Sequence, residues 1–172
     1  YRTGEFQNWR TVLAERDVKD IEARAGQRID LGNGVTMTIL FPFDSWQGKE
    51  TATPHEANVM VILQYGAMRM LLTGDMEAPA ERELIAKQVD LNADVLKVGH
   101  HGSRTSTTEQ FLRAVTPQVA VIQVGARNRY RHPTPSVLDR LARFAIPYYR
   151  TDTNGTIVVE SDGNAFRVVT DK

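Results

Sequence analysis

Two adjacent imidazoles, His100 and His101, stand directly behind an apolar run in Leu96-Lys97-Val98-Gly99-His100-His101-Gly102-Ser103. A carboxylate stands behind another such run in Leu71-Leu72-Thr73-Gly74-Asp75. Each segment reads as a buried strand that stops at a polar group beside glycine. A strand end holds a side chain rigidly, and glycine lets a substrate or a second backbone come close. One carboxylate and two imidazoles at the ends of neighbouring strands are raw material for a divalent metal site. The two oxygens of a carboxylate can bridge a pair of ions, and neutral imidazole suits zinc, manganese or iron alike. Adjacent side chains on an extended chain point to opposite sides. One histidine is therefore expected on the metal, with its neighbour supporting it or touching the substrate. Asp75 has a second reading, as the cap of a helix that opens near Glu77.

A third imidazole, His132, lies in Tyr130-Arg131-His132-Pro133, where the following proline holds it extended. It either flanks the next helix or faces the same site. His55, between Pro54 and Glu56, reads as plain surface. Asp152 and Asn154 read as turn formers, Asn58 as a strand-entry residue, and Trp9 and Trp46 as packing, with Trp46 placed to line a cleft. Charge balances at 21 basic and 21 acidic residues, but not evenly. Residues 100–150 carry Arg104, Arg113, Arg127, Arg129, Arg131, Arg140, Arg143 and Arg150 against Glu109 and Asp139, with no lysine. Guanidinium forks match phosphate oxygens. This stretch is either a solvated basic surface or the approach of an anionic substrate. Cysteine is absent, which excludes disulfides, thiolate zinc sites and a cysteine nucleophile. There is no Walker pattern and no serine elbow.

The elements that must position these residues follow from periodicity. With 172 residues, 41% hydrophobic and 24% charged, the composition is that of one ordinary globular domain. No apolar run approaches 18 residues and no signal-peptide pattern is present. Phe6, Trp9, Val12 and Leu13 give an amphipathic helix over 5–16. Strands are expected at 28–31 and 35–41 around Gly32-Asn33-Gly34, and at 59–65 and 68–73 around Gly66-Ala67. A helix over 77–89, a strand over 94–98 and a helix over 107–115 capped by Ser106 or Thr107 come next. A strand over 119–124, a helix over 135–144, a short strand at 148–149 and a turn over 152–155 follow. A hairpin at 156–160 and 165–169 ends the chain. The expected architecture is α+β, a largely antiparallel sheet with helices packed on it.

The run of motifs resembles a known family. Leu-Leu-Thr-Gly-Asp, Ala-Asp-Val-Leu-Lys-Val-Gly-His-His-Gly-Ser, Val-Gly-Ala-Arg-Asn-Arg-Tyr-Arg-His-Pro and Tyr-Arg-Thr-Asp-Thr-Asn-Gly-Thr-Ile are similar to the metallo-β-lactamase-fold domain of ComEC-type DNA-uptake proteins. Ala-Arg-Ala-Gly-Gln-Arg-Ile-Asp-Leu-Gly-Asn-Gly-Val at 23–35 also fits. The resemblance implies an αββα sandwich of which residues 1–172, a single unit, form the C-terminal portion. It implies metal-dependent phosphodiester hydrolysis that degrades one DNA strand while the other crosses the membrane.

On that resemblance, Asp75 is the bridging carboxylate, His101 a ligand of the second ion, His100 its neighbour, and His132 a residue facing substrate. Ser103, Arg104, Arg127, Asn128, Arg129 and Arg131 fall on the substrate side. Asn58 starts a strand where related enzymes often supply a further ligand. Two divalent ions, zinc or manganese, belong to the complete domain. The superfamily's His-x-His-x-Asp-His motif is absent from this chain and is expected upstream, so the chain alone is expected to fall short of two metal shells. The implied partners are single-stranded DNA, contacted through its backbone, the membrane channel of the same parent protein, and the upstream half of the domain. The implied location is the extracytoplasmic side of the bacterial cytoplasmic membrane. Two rival functions stand beside this one. A stand-alone hydrolase of a small phosphodiester is favoured slightly by the low aromatic content, because strong single-strand binders stack bases on aromatics. A non-catalytic DNA- or partner-binding module is favoured by the missing ligand motif.

Overall fold

The computed structural model describes residues 3–49 and 57–172, so His55 lies outside the described residues. Helix α1 (Gly4–Glu15) opens on Thr3, whose hydroxyl accepts from the Phe6 amide. Its apolar spacing is as expected, but no residue of α1 is buried and Trp9 stays half exposed. Strands β1 (Arg28–Gly32) and β2 (Val35–Phe41) meet at Gly32-Asn33-Gly34, all three at positive φ. Strands β3 (Met60–Tyr65) and β4 (Met68–Leu72) complete an antiparallel meander.

Beyond β4 the chain changes mode. Helices α2 (Ala78–Ala86), α3 (Glu109–Val115) and α4 (Pro135–Arg143) alternate with strands β5 (Val95–Lys97), β6 (Val119–Ile122) and β7 (Tyr148–Arg150). All seven strands form one sheet in sequential order, and β4 through β7 pair in parallel. The expectation of a largely antiparallel sheet is thus corrected to a mixed one. A helical crossover returns the chain to the starting edge of the sheet, and that forces parallel pairing. A four-residue helix, α5 (Thr151–Asn154), stands where a turn was expected. Strands β8 (Ile157–Ser161) and β9 (Phe166–Thr170) form a separate hairpin.

Alternation along the strands divides the core. Ile62, Leu71, Leu96, Ala120 and Ile122 face Leu84 of α2, Phe111, Leu112 and Val115 of α3, and Val137 and Leu141 of α4. Each such side chain contributes roughly 1.5–3 kcal/mol on burial. On the other face, Met68, Val95 and Val119 pack with Val159, Phe166 and Val168 of the terminal hairpin. The hairpin is fixed at its tip, where Gly163 O accepts from the Ala67 amide at 2.7 Å. A Cβ on Gly66 would lie 2.4 Å from that same oxygen, so the β3–β4 turn needs glycine there. The result is a helix layer, a seven-stranded sheet and a small second sheet, three successive layers of an αββα sandwich. No helix among the described residues is long and apolar enough to cross a membrane.

A charged residue is buried in the helix layer. Glu81 of α2 is 1% exposed. Its carboxylate accepts from the backbone amides of Thr107 and of Thr108, the latter at 2.9 Å. Arg140 of α4 donates to Ser106 O and Thr107 O. The two side chains clamp the segment leading into α3 from both sides. Thr108, not Ser106 or Thr107, caps α3, accepting from the Phe111 amide. Ser106 and Thr107 are engaged elsewhere, as the site requires. Burial pushes the Glu81 carboxyl above its ordinary value, and the two amides and Arg140 offset only part of this. Folding therefore tightens proton binding at Glu81. The stability linked to it is complete below the unfolded value of 4.5 and is lost as pH rises through the higher folded value. Denaturant midpoints measured across that window should fall with pH in the parent and stay flatter in Glu81→Gln. Parallel profiles would place the pH dependence on another group.

Candidate active site

The register Leu71↔Leu96 and Leu72↔Lys97 ends β4 and β5 side by side at their carboxyl ends. The Thr73 hydroxyl donates to Lys97 O at 2.8 Å and extends the pairing by one residue. Gly74 then turns at φ +57, where a Cβ would lie 2.3 Å from Asn58 Oδ1. Asn58 Nδ2 donates to Thr73 O at 2.8 Å, and the Asp75 amide donates to Asn58 Oδ1 at 2.9 Å. Asn58 thus fixes the backbone that presents Asp75. The position before α2 that a cap would occupy belongs to Glu77, so Asp75 is not that cap. Its Oδ1 lies 3.5 Å from His101 Nε2. Two donors on one tetrahedral ion, each about 2.0–2.2 Å from it, would be separated by about 3.3–3.6 Å. His101 Nδ1 contacts Gln123 O at 2.7 Å. A carbonyl can only accept, so Nδ1 carries the proton, and in the neutral ring Nε2 keeps its lone pair toward Asp75.

The histidine pair is not extended. His100 (φ 44, ψ 47) and His101 (φ 55, ψ 19) are consecutive left-handed residues in the tight turn Gly99–Gly102. This corrects the expectation of side chains on opposite sides. The turn brings the two rings to 6.2 Å, on the same part of the molecule. Two such non-glycine residues cost of order 1–3 kcal/mol each. The surroundings hold them there. The Ser106 hydroxyl donates to Gly99 O and Ser103 O, Thr107 Oγ1 accepts from the Gly99 amide, and the Thr134 amide and hydroxyl both reach Gly102 O. Ser103 is buried with its hydroxyl on Thr105 Oγ1, so it supports the turn from within. Sequence reasoning missed Glu77. Its Oε1 lies 3.0 Å from His100 Nδ1 and accepts from Thr105 at 2.8 Å. An acid in a first helical turn reads as a dipole partner. The signal that could have found it is its place two residues beyond Asp75.

His132 joins the pair, its ring 5.8 Å from that of His100 and stacked on Tyr130 at 5.9 Å. Desolvation, then the charges of His100 and His101, hold it below the ordinary histidine value, so it is neutral at neutral pH. Its Nδ1 is buried and has no hydrogen-bond partner among the described residues. A cleft of about 220 Å³ is lined by His101, Val124, Gly125, Asn128, Tyr130 and His132. Asn128 uses its amide on the loop itself, donating to Gly125 O and His132 O and accepting from the His132 amide. Arg127, Arg129 and Arg131 are exposed on this loop, and Arg129 lies over the Tyr130 ring and bonds its hydroxyl. Arg104 is exposed beyond the histidine turn. Asp152 pairs with Arg150 at 2.6 Å, and Trp46 is half-buried with Lys49 over its ring.

The structure therefore gathers Asp75, His100, His101 and His132, with Glu77 behind them. Asp75 and His101 fit one edge of a metal shell by spacing and by donor type. Among the described residues, no group of three or more His, Asp or Glu side chains is placed to hold an ion.

Residues 2–126 match the metallo-beta-lactamase superfamily, and the chain belongs to that superfamily. It is 41% identical over 111 residues to ComE operon protein 3 of Bacillus subtilis, covering 64% of this chain and 14% of that protein. It is 41% identical over 93 residues to Competence protein ComA of Neisseria gonorrhoeae, covering 54% and 14%. It is 36% identical over 124 residues to Recombination protein 2 of Haemophilus influenzae, covering 66% and 16%. These bear out the ComEC-type resemblance of the motifs. The chain spans only a small part of each relative's length. A solved structure from Parabacteroides distasonis, described provisionally as a metal-dependent hydrolase, superposes with TM-score 0.51 at 14% identity, over 81% of this chain and 61% of the other. That likeness supports the fold.

Two donors make a weak site. Titration of this chain with Mn²⁺ or Zn²⁺ should give weak binding that Asp75→Ala and His101→Ala each abolish. Tight stoichiometric binding that survives either change would place the ion elsewhere.

Proposed function

We propose that this chain is part of a metal-dependent phosphodiester hydrolase, the nuclease domain of a ComEC-type DNA-uptake protein, acting on the strand that is not transported. The observation that carries the reading is the convergence of Asp75 Oδ1 and His101 Nε2 at 3.5 Å, beside two further imidazoles and a cleft. In the complete domain Asp75 and His101 would help to hold divalent ions, zinc or manganese, which supply Lewis-acid activation of a phosphodiester. The remaining ligands would come from the upstream half of the domain.

The residues of this chain have separable tasks. The Gln123 carbonyl keeps the His101 lone pair on Nε2. Glu77 holds the His100 ring through Nδ1. His132, held below the ordinary histidine value by desolvation and its neighbouring imidazoles, would exchange a proton or a hydrogen bond with a phosphate oxygen or the leaving group. Arg104, Arg127, Arg129 and Arg131 would hold a single-stranded DNA backbone with no sequence preference. Such a domain would work beside the channel part of the same parent, on the extracytoplasmic side of the cytoplasmic membrane.

The test uses the full-length protein, single-stranded DNA and added Mn²⁺. Asp75→Ala should abolish hydrolysis. His101→Ala should lose metal and most activity. His132→Ala should keep the metal and slow turnover by roughly 10²–10⁴-fold. If His132→Ala strips metal while His101→Ala does not, the two roles are reversed. The joint replacement of Arg127, Arg129 and Arg131 should weaken DNA binding and lower its salt slope, by up to ~0.7 for each arginine–phosphate pair removed. An unchanged slope would make these arginines ordinary surface.

A further inference from the structure

Lys97 is the last residue of β5, and its place is unusual for a cation. Alternation turns Val95 and Lys97 to the sheet face away from the helices, and Lys97 sits in register between Leu72 of β4 and Val121 of β6. Burial pushes its ammonium below the ordinary lysine value, against the attraction of the Asp75 charge. Among the described residues no carboxylate lies within ion-pair distance of it. An apolar side chain would suit that row better. What the lysine adds is donors at one point. Its Nζ lies 3.2 Å from Gly74 O and 3.4 Å from Val98 O. Gly74 immediately precedes Asp75, and Val98 immediately precedes the turn that carries both histidines. The His100 amide also donates to Gly74 O, at 3.2 Å.

We propose that Lys97 is a positioning residue of the candidate site, its ammonium cross-linking the carbonyls that precede Asp75 and the histidine turn and so setting the separation of Asp75 from His101. The proposal rests on the reading of this site as a metal-dependent hydrolase. Strand pairing stops at the Leu72–Lys97 register. Past that point the two loops are joined by the His100 amide on Gly74 O and by the side-chain bonds from Thr73 and Lys97. A shift of about half an ångström between two donors is enough to spoil a metal shell or a reactive geometry. Lys97 therefore acts through Asp75 and His101.

The experiment compares parent, Lys97→Met and Lys97→Ala in the full-length protein. Lys97→Met keeps an apolar stem of similar length and deletes the ammonium. Lys97→Ala leaves room for an added alkylammonium ion. Mn²⁺ affinity, kcat and KM on a single-stranded oligonucleotide, and the unfolding midpoint are measured together. Lys97→Met should lower Mn²⁺ affinity and kcat about 10–100-fold, with KM and the unfolding midpoint held. Propylammonium should restore kcat in Lys97→Ala and not in Lys97→Met. Parental kcat and Mn²⁺ affinity in Lys97→Met, or a loss that tracks the unfolding midpoint with no rescue, would overturn the proposal. If the parent itself neither binds Mn²⁺ nor hydrolyses DNA, the reading of the site fails, and amide exchange then judges Lys97. Asp75 and His100 amides should exchange faster in Lys97→Met than in the parent, with the β5 amides unchanged. Equal exchange at Asp75 and His100 would overturn it.

Discussion

Parallel pairing of Met70–Leu72 with Val95–Lys97 ends both strands on the same edge of the sheet, and the whole candidate site hangs on that edge. In an antiparallel pair the two ends would lie at opposite rims, several residues apart. Here the carboxyl ends coincide to within one register step, so the residues that follow them must meet. The pairing is possible because α2 carries the chain back across the helix face, and α2 is held there by Leu84 in the core and Glu81 beneath the next crossover. Open α/β sheets place their ligands outside the carboxyl ends of parallel strands for this reason. The antiparallel meander on the other side of β4 contributes support, through Asn58 at the mouth of β3.

The left-handed histidine turn is the strained part of this arrangement, and Ser106, Thr107 and Glu81 among its supports are buried. Ser106 and Thr107 of the following loop, Thr134 at the start of α4, and the Glu81–Arg140 clamp from α2 and α4 reach the turn or the segment leaving it. Each neutral bond contributes on the order of 1 kcal/mol. Several together offset a backbone cost of a few kcal/mol and leave the two imidazoles one geometry. A hydrophobic core could not do this, because apolar contact is not directional.

Most of this architecture was legible from patterns of local origin. Apolar or alternating runs, most of them bounded by glycine, located the strands, with the short Tyr148-Tyr149 strand an exception. Asp75 and the histidine pair stood out because each closes such a run. What was not legible is whatever depends on residues distant in sequence. The polarity of β4 through β7 follows from how helices pack back on the sheet. The cap of α3 moved to Thr108 because Ser106 and Thr107 bond Gly99 across the loop. Adjacent histidines read as extended because nothing local to Gly99–Gly102 specifies φ near +50 for two non-glycine residues. Glu77 read as a helix-dipole residue because its partner, His100, is 23 positions away.

The supports also bear on what kind of site this is. A histidine on a protein surface needs no fixed tautomer, and a surface carboxylate needs no fixed backbone. In this chain Gln123 O orients His101, Glu77 orients His100, and Asn58 fixes the amide of Asp75. Outer partners of this type orient ligands and raise their basicity at metal centres. They are supplied from three different segments, the end of β6, the start of α2 and the entry to β3. A set of orienting contacts so distributed makes sense for donors that must meet a third body at fixed distances. The arginines of the 127–131 loop form a contrast. They are exposed, and one of them, Arg129, is stacked on Tyr130 and bonds its hydroxyl. Rigidly held donors just past two strand ends thus stand beside exposed cations on a loop.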